Sequence, residues 1–266
     1  MANIHPTAII ADGADIHESV AVGPYCVIGQ NVAIGANTTL KSHVVIEGRT
    51  TLGENNTLFP FVSLGQPPQD KKFKGEDTQL IIGDDNQIRE YVTINPGTEH
   101  GGGKTVIGSR NLFMALSHVG HDCKVGNDCV LANSATLAGH VEVADFVIIG
   151  GLSGVHQFVR VGEHSIIGGG VGVVKDVAPY AAISGERARL EALNITGLKR
   201  REFDRETIKE LSALYKEVFF DGDNDALSEK VQKAVAKSSE ARRLLDFIST
   251  PSKRGLCLPK KENINE

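Results

Sequence analysis

"VIGQNVAIGANTTL", residues 27–40, places aliphatic side chains at Ile28, Ile34 and Leu40, six positions apart, with glycine directly after the first two. An amphipathic helix repeats its apolar residues every 3.6 positions and a half-buried strand every second one, so this spacing fits neither. It is a hexapeptide repeat, the sequence form of a parallel β-helix. Working outward, the spacing runs back through Val22, Ile16 and Ile10 and forward through Ile46, Leu52, Leu58 and Leu64. It returns at Ile82, Ile88 and Ile94, slips by one residue, and continues through Ile107, Phe113, Val119, Val125, Leu131, Leu137, Val143, Ile149, Val155, Val161, Ile167 and Val173.

Each hexapeptide can supply one short strand with an inward aliphatic side chain and one turn. Three of them close a triangular coil of eighteen residues, and coils stack through parallel ladders about 4.8 Å apart. The composition agrees: 29 glycines, no tryptophan and 5% aromatic residues leave Val, Ile, Leu and Ala to fill the core. The expected fold is mainly β, a parallel β-helix over 1–185, followed by an α-helical domain over 186–266. In that second part Phe203 and Ile208 flank a candidate N-cap at Asp204, and Ile208, Leu211, Tyr215 and Val218 form an apolar helical stripe. Further helices are expected over 227–235 and 239–248, with a poorly ordered end beyond Pro251.

Two polar stretches interrupt the repeat: "GQPPQDKKFKGEDTQ" at 65–79 and "NPGTEHGGGKT" at 95–105. Insertions in a solenoid become loops thrown from one face, often the binding face. Between the second loop and the end of the repeat lie the chemistry-bearing residues. Eighteen positions beyond His121 is Gly139, beside His140, and eighteen further is Gln157, beside His156. Residues one coil apart lie one above another, so His121, Gly139 with His140, and His156 with Gln157 form a polar column at about 5 Å intervals. His118 shares a coil with His121, which puts four of the nine histidines in one patch.

A metal would need three or four converging neutral imidazoles or thiolates. A general base needs one imidazole, an orienting carboxylate and donors for an oxyanion. Asp122 adjoins His121, and Gly139 can present a backbone N–H with no side chain in the way, so the residues favour a base. The four cysteines, Cys26, Cys123, Cys129 and Cys257, follow no zinc-ribbon or CxxC spacing and read as small buried apolar residues. A formal net charge of -5 supplies no general field for nucleic acid. The N-terminus lacks a signal peptide's basic start and apolar core, and no stretch is long enough to span a bilayer. The expected location is the cytoplasm.

The stretches "QPPQDKKFKGE", "IREYVTIN", "HVGHDCKVGN", "LAGHVEV", "GGLSGVHQFVRVG" and "NITGLKRREF", in this order, resemble the bacterial UDP-N-acetylglucosamine O-acyltransferases of lipid A synthesis. That resemblance implies a left-handed coil and a homotrimer with active sites between subunits. It also implies transfer of an (R)-3-hydroxyacyl group from acyl carrier protein to the sugar 3-hydroxyl, without a metal or organic cofactor. By the same resemblance His121 is the general base, Asp122 orients it, and Gly139 N–H holds the oxyanion. Asp70, Lys72, His118 and His140 would position the sugar. His156, Gln157, Asn194, Arg200 and Arg201 would hold the nucleotide, and Gly169 would set a long acyl groove.

The sequence departs from the family at Thr196, often a glutamate, and near Arg187, where a histidine is more common. Lys199, Arg200, Arg201, Arg205 and Lys209 form a basic cluster suited to an acidic carrier protein. Three other readings stay open on the residues: a 3-amino sugar as acceptor, a metal-dependent enzyme on the same scaffold, and a solenoid that binds without catalysis.

Overall fold

The inward side chains are what wind the chain into a prism. In a computed structural model, which describes residues 2–220 and 238–260, almost every strand is two residues long; from Ala21–Val22 to the last coil its second residue points inward and is buried. The strands stack into three sheets of eleven, nine and eight members among the described residues. The first runs from Asn3–Ile4 to Arg189–Leu193, the second from Ile9–Ile10 to Gly172–Val173, and the third from Asp15–Ile16 to Arg160–Val161. The β-helix is left-handed, and successive strands move from first to second to third face and back, so every coil has three corners. Val22 pairs with Leu40 and Leu40 with Leu58, the eighteen-residue register expected from the repeat.

The register also explains both interruptions. Leu52 pairs with Ile82, thirty positions on, so the first loop adds twelve residues, two whole hexapeptides, and the phase survives. Ile94 pairs with Val119, twenty-five positions on, so the second adds seven, and the phase slips by one. In both cases the stacking of coils is undisturbed because the extra chain leaves at a corner.

Corners hold the backbone in the left-handed region, at Tyr25, His43, Phe61 and Tyr91 for example, with φ of 58°, 59°, 66° and 60°. Each such non-glycine residue costs about 1–2 kcal/mol. The side chains offset part of it: these four rings stack on one another at centroid spacings of 4.9–5.0 Å. Inside the corners, small polar side chains satisfy the carbonyl fifteen residues on. Thr38 Oγ1 donates to Gly53 O, Ser153 Oγ to Gly168 O, and the thiols of Cys26, Cys123 and Cys129 make the equivalent contact to Lys41, Ala138 and Ala144. The cysteines are thus unpaired scaffold residues at positions that Ser and Thr also occupy.

The last parallel strand of the first sheet is Ala181–Ser184. Ala181–Ser184 turns back on Arg189–Leu193 as an antiparallel pair, so the first sheet continues across the expected boundary. Helix α1 (Ile195–Arg200) follows, then α2 (Arg205–Tyr215), which runs into a wider turn at Lys216–Phe220, and α3 (Ser239–Ser249). Asp204 caps α2, accepting from Thr207 N at 2.9 Å, and Ile208, Leu211, Tyr215 and Val218 are buried as the stripe requires. The helix expected over 227–235 lies outside the described residues.

His164, on a corner between the third and first faces, joins the two parts. Its ring is buried against Phe146, Tyr180 and Phe203, and burial pushes its pKa down. Over residues 252–260 the expectation of disorder fails. Asp176 N donates to Gly255 O at 2.8 Å and Cys257 N to Asp176 O at 2.7 Å, so the segment returns to the solenoid through one parallel bridge, Asp176 with Leu256. Its partner is some eighty positions earlier and shares no periodicity with it, which is why the sequence conceals the pairing.

Because the inward residues carry the fold, Leu131→Ala should lower unfolding free energy by about 2–5 kcal/mol, while exposed Lys41→Ala should change it by less than about 0.5. Denaturant titration with matched slopes checks this; equal effects would contradict the packing.

Candidate active site

The corner between the second and third faces collects nearly all the chemistry. Strands His118–Val119 and Lys124–Val125 flank His121 and Asp122; Thr136–Leu137 and Glu142–Val143 flank Gly139 and His140; Gly154–Val155 and Arg160–Val161 flank His156 and Gln157. Both inserted loops leave from this same corner, between Ser63–Leu64 and Gln79–Ile82 and between Thr93–Ile94 and Lys104–Ile107. They brace each other: Asn95 Nδ2 donates to Gln66 O, and His100 Nε2 lies 3.5 Å from the Asp70 carboxylate.

His121 Nδ1 lies 2.7 Å from Asp122 Oδ2, both side chains being buried. A carboxylate only accepts, so the imidazole proton sits on Nδ1 and the Nε2 lone pair is free. Asp122 is fixed in turn by the second loop, accepting from Thr98 N at 2.9 Å and from Thr98 Oγ1 at 2.6 Å, while its own amide donates to Thr105 Oγ1. The loop must pass close to do this. A Cβ at Gly101 would lie 2.1 Å from the Asp122 carboxylate, so only glycine fits there.

On the other side of the imidazole the next coil leaves space. A Cβ on Gly139 would lie 2.5 Å from His121 Nε2, so the glycine keeps that nitrogen accessible. Its amide donates to no atom of the described residues, while the next amide, of His140, donates to His121 O at 2.9 Å. A nitrogen with a free lone pair therefore lies against a glycine whose N–H has no partner among the described residues. His140 meets the His121 ring edge-on at 5.0 Å and stacks on Phe158 at 4.4 Å, with its pKa lowered chiefly by burial. His118 is lowered for the same reason, and its Nδ1 bonds Thr93 Oγ1 at 2.7 Å. Asp70 is held below the usual carboxylate range by the Lys72 amide, with the charges of His121 and His100 contributing. Lys72 itself is exposed.

Gly169 lies over Gly151, one coil below, on an open stretch of the neighbouring corner; a Cβ there would stand 3.3 Å from Gly151 O. The remaining candidates are not brought to the histidine corner of the same chain. Asn194 is buried as the N-cap of α1, accepting from Gly197 N and donating to His164 O. Arg201 Nη2 donates to Phe146 O, on the corner between third and first faces, and burial lowers its pKa. Arg200 is exposed one residue earlier, as are Thr196, Lys199, Arg205, Lys209 and Arg187.

Other residues at the histidine corner escaped the sequence reading. Thr98, Thr105 and His100 belong to this category, and so do Phe158, Lys253 and Arg254. A cavity of about 550 Å³ is lined by His100, Asp122, His140 and Phe158 together with Thr250 and Lys253 of the returning segment. One donor each from His121, Asp122 and His140 falls within 4.8 Å of the others, the one group of metal-type donors among the described residues. Asp122 already accepts three hydrogen bonds and His121 Nδ1 is protonated, so a cation there would have to displace the contacts that hold the imidazole.

Comparison with known proteins is decisive about kinship. Residues 176–257 match the family profile described as Udp N-acetylglucosamine O-acyltransferase, Domain 2, and residues 13–48 and 104–139 match the bacterial transferase hexapeptide. A Myxococcus xanthus protein named acyl-(acyl-carrier-protein)-UDP-N-acetylglucosamine O-acyltransferase is 52% identical over 259 residues, covering 96% of this chain and 99% of that one. The chain belongs to the UDP-N-acetylglucosamine O-acyltransferase family. Its namesake from Aliarcobacter butzleri is 46% identical over 98% of this chain and 100% of that one. The crystal structure of UDP-N-acetylglucosamine O-acyltransferase from Moraxella catarrhalis superposes with a TM-score of 0.92 at 46% identity, covering 96% and 99% of the two chains.

Two thiols, Cys123 at this corner and Cys129 at the next, test for a cysteine chemistry. Burial raises Cys123 and Cys129 to about 12, so both stay protonated at neutral pH. Iodoacetamide at pH 8 should leave both unmodified in the native protein and label them after denaturation; native labelling of either, read by peptide mass spectrometry, would contradict the buried corner positions.

Proposed function

We propose that the chain transfers an (R)-3-hydroxyacyl group from acyl carrier protein to the 3-hydroxyl of UDP-N-acetylglucosamine, the first step of lipid A synthesis, with His121 as general base. The observation that carries this reading is the free His121 Nε2, set by Asp122 and lying against Gly139. The sugar oxygen attacks the thioester carbonyl as its proton passes to Nε2, and the carbonyl oxygen becomes an oxyanion facing the Gly139 N–H. Collapse breaks the carbon–sulfur bond, and the proton on His121 returns to the leaving thiolate. Asp122 stabilises the imidazolium formed between these steps. The thioester is already a good acyl donor, so no covalent enzyme intermediate is needed.

Asp70, Lys72, His118 and His140 surround the place of the sugar, while His156 and Gln157 continue the corner toward the nucleotide. Asn194, Arg200 and Arg201 lie by the corner between third and first faces of their own chain. They join this acceptor site if a neighbouring copy turns that corner toward it, which supports a homotrimer with sites between subunits. Gly169 supports a long acyl groove, since no side chain stands on it. Among the described residues no helix is long and apolar enough to cross a membrane, in keeping with an enzyme working in the cytoplasm on a soluble carrier.

The test is acyl transfer by the purified protein with matched 3-hydroxyacyl carrier proteins, offering UDP-N-acetylglucosamine and its 3-amino analogue. His121→Ala should lose about 10²–10⁴ in kcat/KM. Gly139→Ala, which pushes the imidazole aside, should lose about 10²-fold with the fold retained. Transfer to neither acceptor, or a His121→Ala variant as fast as wild type, contradicts the reading; preference for the amine would move the enzyme to the diamino-sugar branch. Dialysis against a chelator should leave kcat/KM unchanged, and loss restored by zinc would instead favour metal chemistry at His121, Asp122 and His140.

A further inference from the structure

The returning C-terminal segment brings two cations, Lys253 and Arg254, to the histidine corner. Arg254 donates through Nη2 to His156 Nδ1 and through Nε to the Gln157 carbonyl, both at 2.6 Å. Lys253 Nζ stands 4.3 Å from the centre of the Phe158 ring, whose other contact is the stacked His140. Among the described residues neither cation is within ion-pair distance of an Asp or Glu. Lys124, Arg160 and Arg243 nearby are all paired, with Glu142, Asp176 and Glu163.

We propose that Lys253 and Arg254 bind the diphosphate of the acceptor nucleotide. This rests on the reading that a UDP-sugar lies along the corner from His121 to His156. A guanidinium has five N–H donors and Arg254 commits two of them here, both to neutral acceptors, so its charge and its other donors remain available. Since Arg cannot accept, His156 Nδ1 must, and the His156 proton is then on Nε2. Three donors follow: the free guanidinium N–H groups, the Lys253 ammonium and His156 Nε2–H. A diphosphate carries the matching charge and several acceptor oxygens. Within one chain Arg201 does not reach this place, because its guanidinium donates to Phe146 O at another corner.

Calorimetric titration of the full-length protein with UDP, UMP and uridine separates a phosphate contact from general binding. In Arg254→Gln, UDP affinity should fall at least tenfold while uridine affinity stays within about threefold, and Arg254→Lys should recover part of the loss. In steady-state kinetics Arg254→Gln should raise KM for the UDP-sugar more than it lowers kcat, leaving KM for acyl carrier protein within about twofold. An unchanged ratio of UDP to uridine affinity overturns the proposal. So does a selective rise in KM for the carrier protein, which would assign the cations to the acidic donor. If Arg254→Gln fails to fold, Lys253→Gln carries the test, and an unchanged UDP-to-uridine ratio there is equally fatal. Wild type that binds no UDP and transfers to no UDP-sugar would instead sink the acceptor assignment itself.

Discussion

Everything in this molecule depends on the stacking of one inward aliphatic side chain on its counterpart eighteen residues later. Leu131 over Phe113 and Ile149 over Leu131 are instances of a contact repeated on three faces from end to end. The ladder does two jobs: it supplies the core, and it converts sequence spacing into distance, so that residues far apart in the chain lie a strand's width apart at a corner. The insertions obey the same constraint, leaving at a corner and returning to an intact ladder.

That regularity is what lets a catalytic arrangement be held rigidly. His121, Gly139 with His140, and His156 with Gln157 sit on successive coils whose backbones are hydrogen-bonded to each other, for example through His140 N and His121 O. The left-handed corner residues Asp122, His140 and Phe158, with φ of 60°, 63° and 65°, project their side chains outward from the prism. The imidazole is then fixed from above by an aspartate that the second loop grips and from below by a glycine that leaves it room. Neither the coil nor the loop suffices alone, since the coil places His121 and the loop places the oxygen atoms of Asp122.

The parts legible in the sequence were those that follow the eighteen-residue period. The core positions, the slip after Ile94 and the histidine column with Gly139 in it all come from counting. The Asp204 cap and the stripe through Val218 were legible from helix chemistry. What stayed hidden were contacts with no period: Thr98 gripping Asp122, His164 in its aromatic box, and a tail that pairs with Asp176 and reaches His156. Asn194 adds a contact of another kind. It stands directly before α1, and as an N-cap its amide is committed to Gly197 N and His164 O, a structural duty that its place in a basic motif obscured.

The most direct test of the account is the protonation of the two His121 nitrogens, read by ¹⁵N chemical shifts of histidine-labelled protein at pH 7.5, with His121→Gln giving the assignment. The geometry with Asp122 predicts a protonated Nδ1 and a bare Nε2. A proton on Nε2 would mean that Asp122 does not set the imidazole, and His121 could not then act as the base.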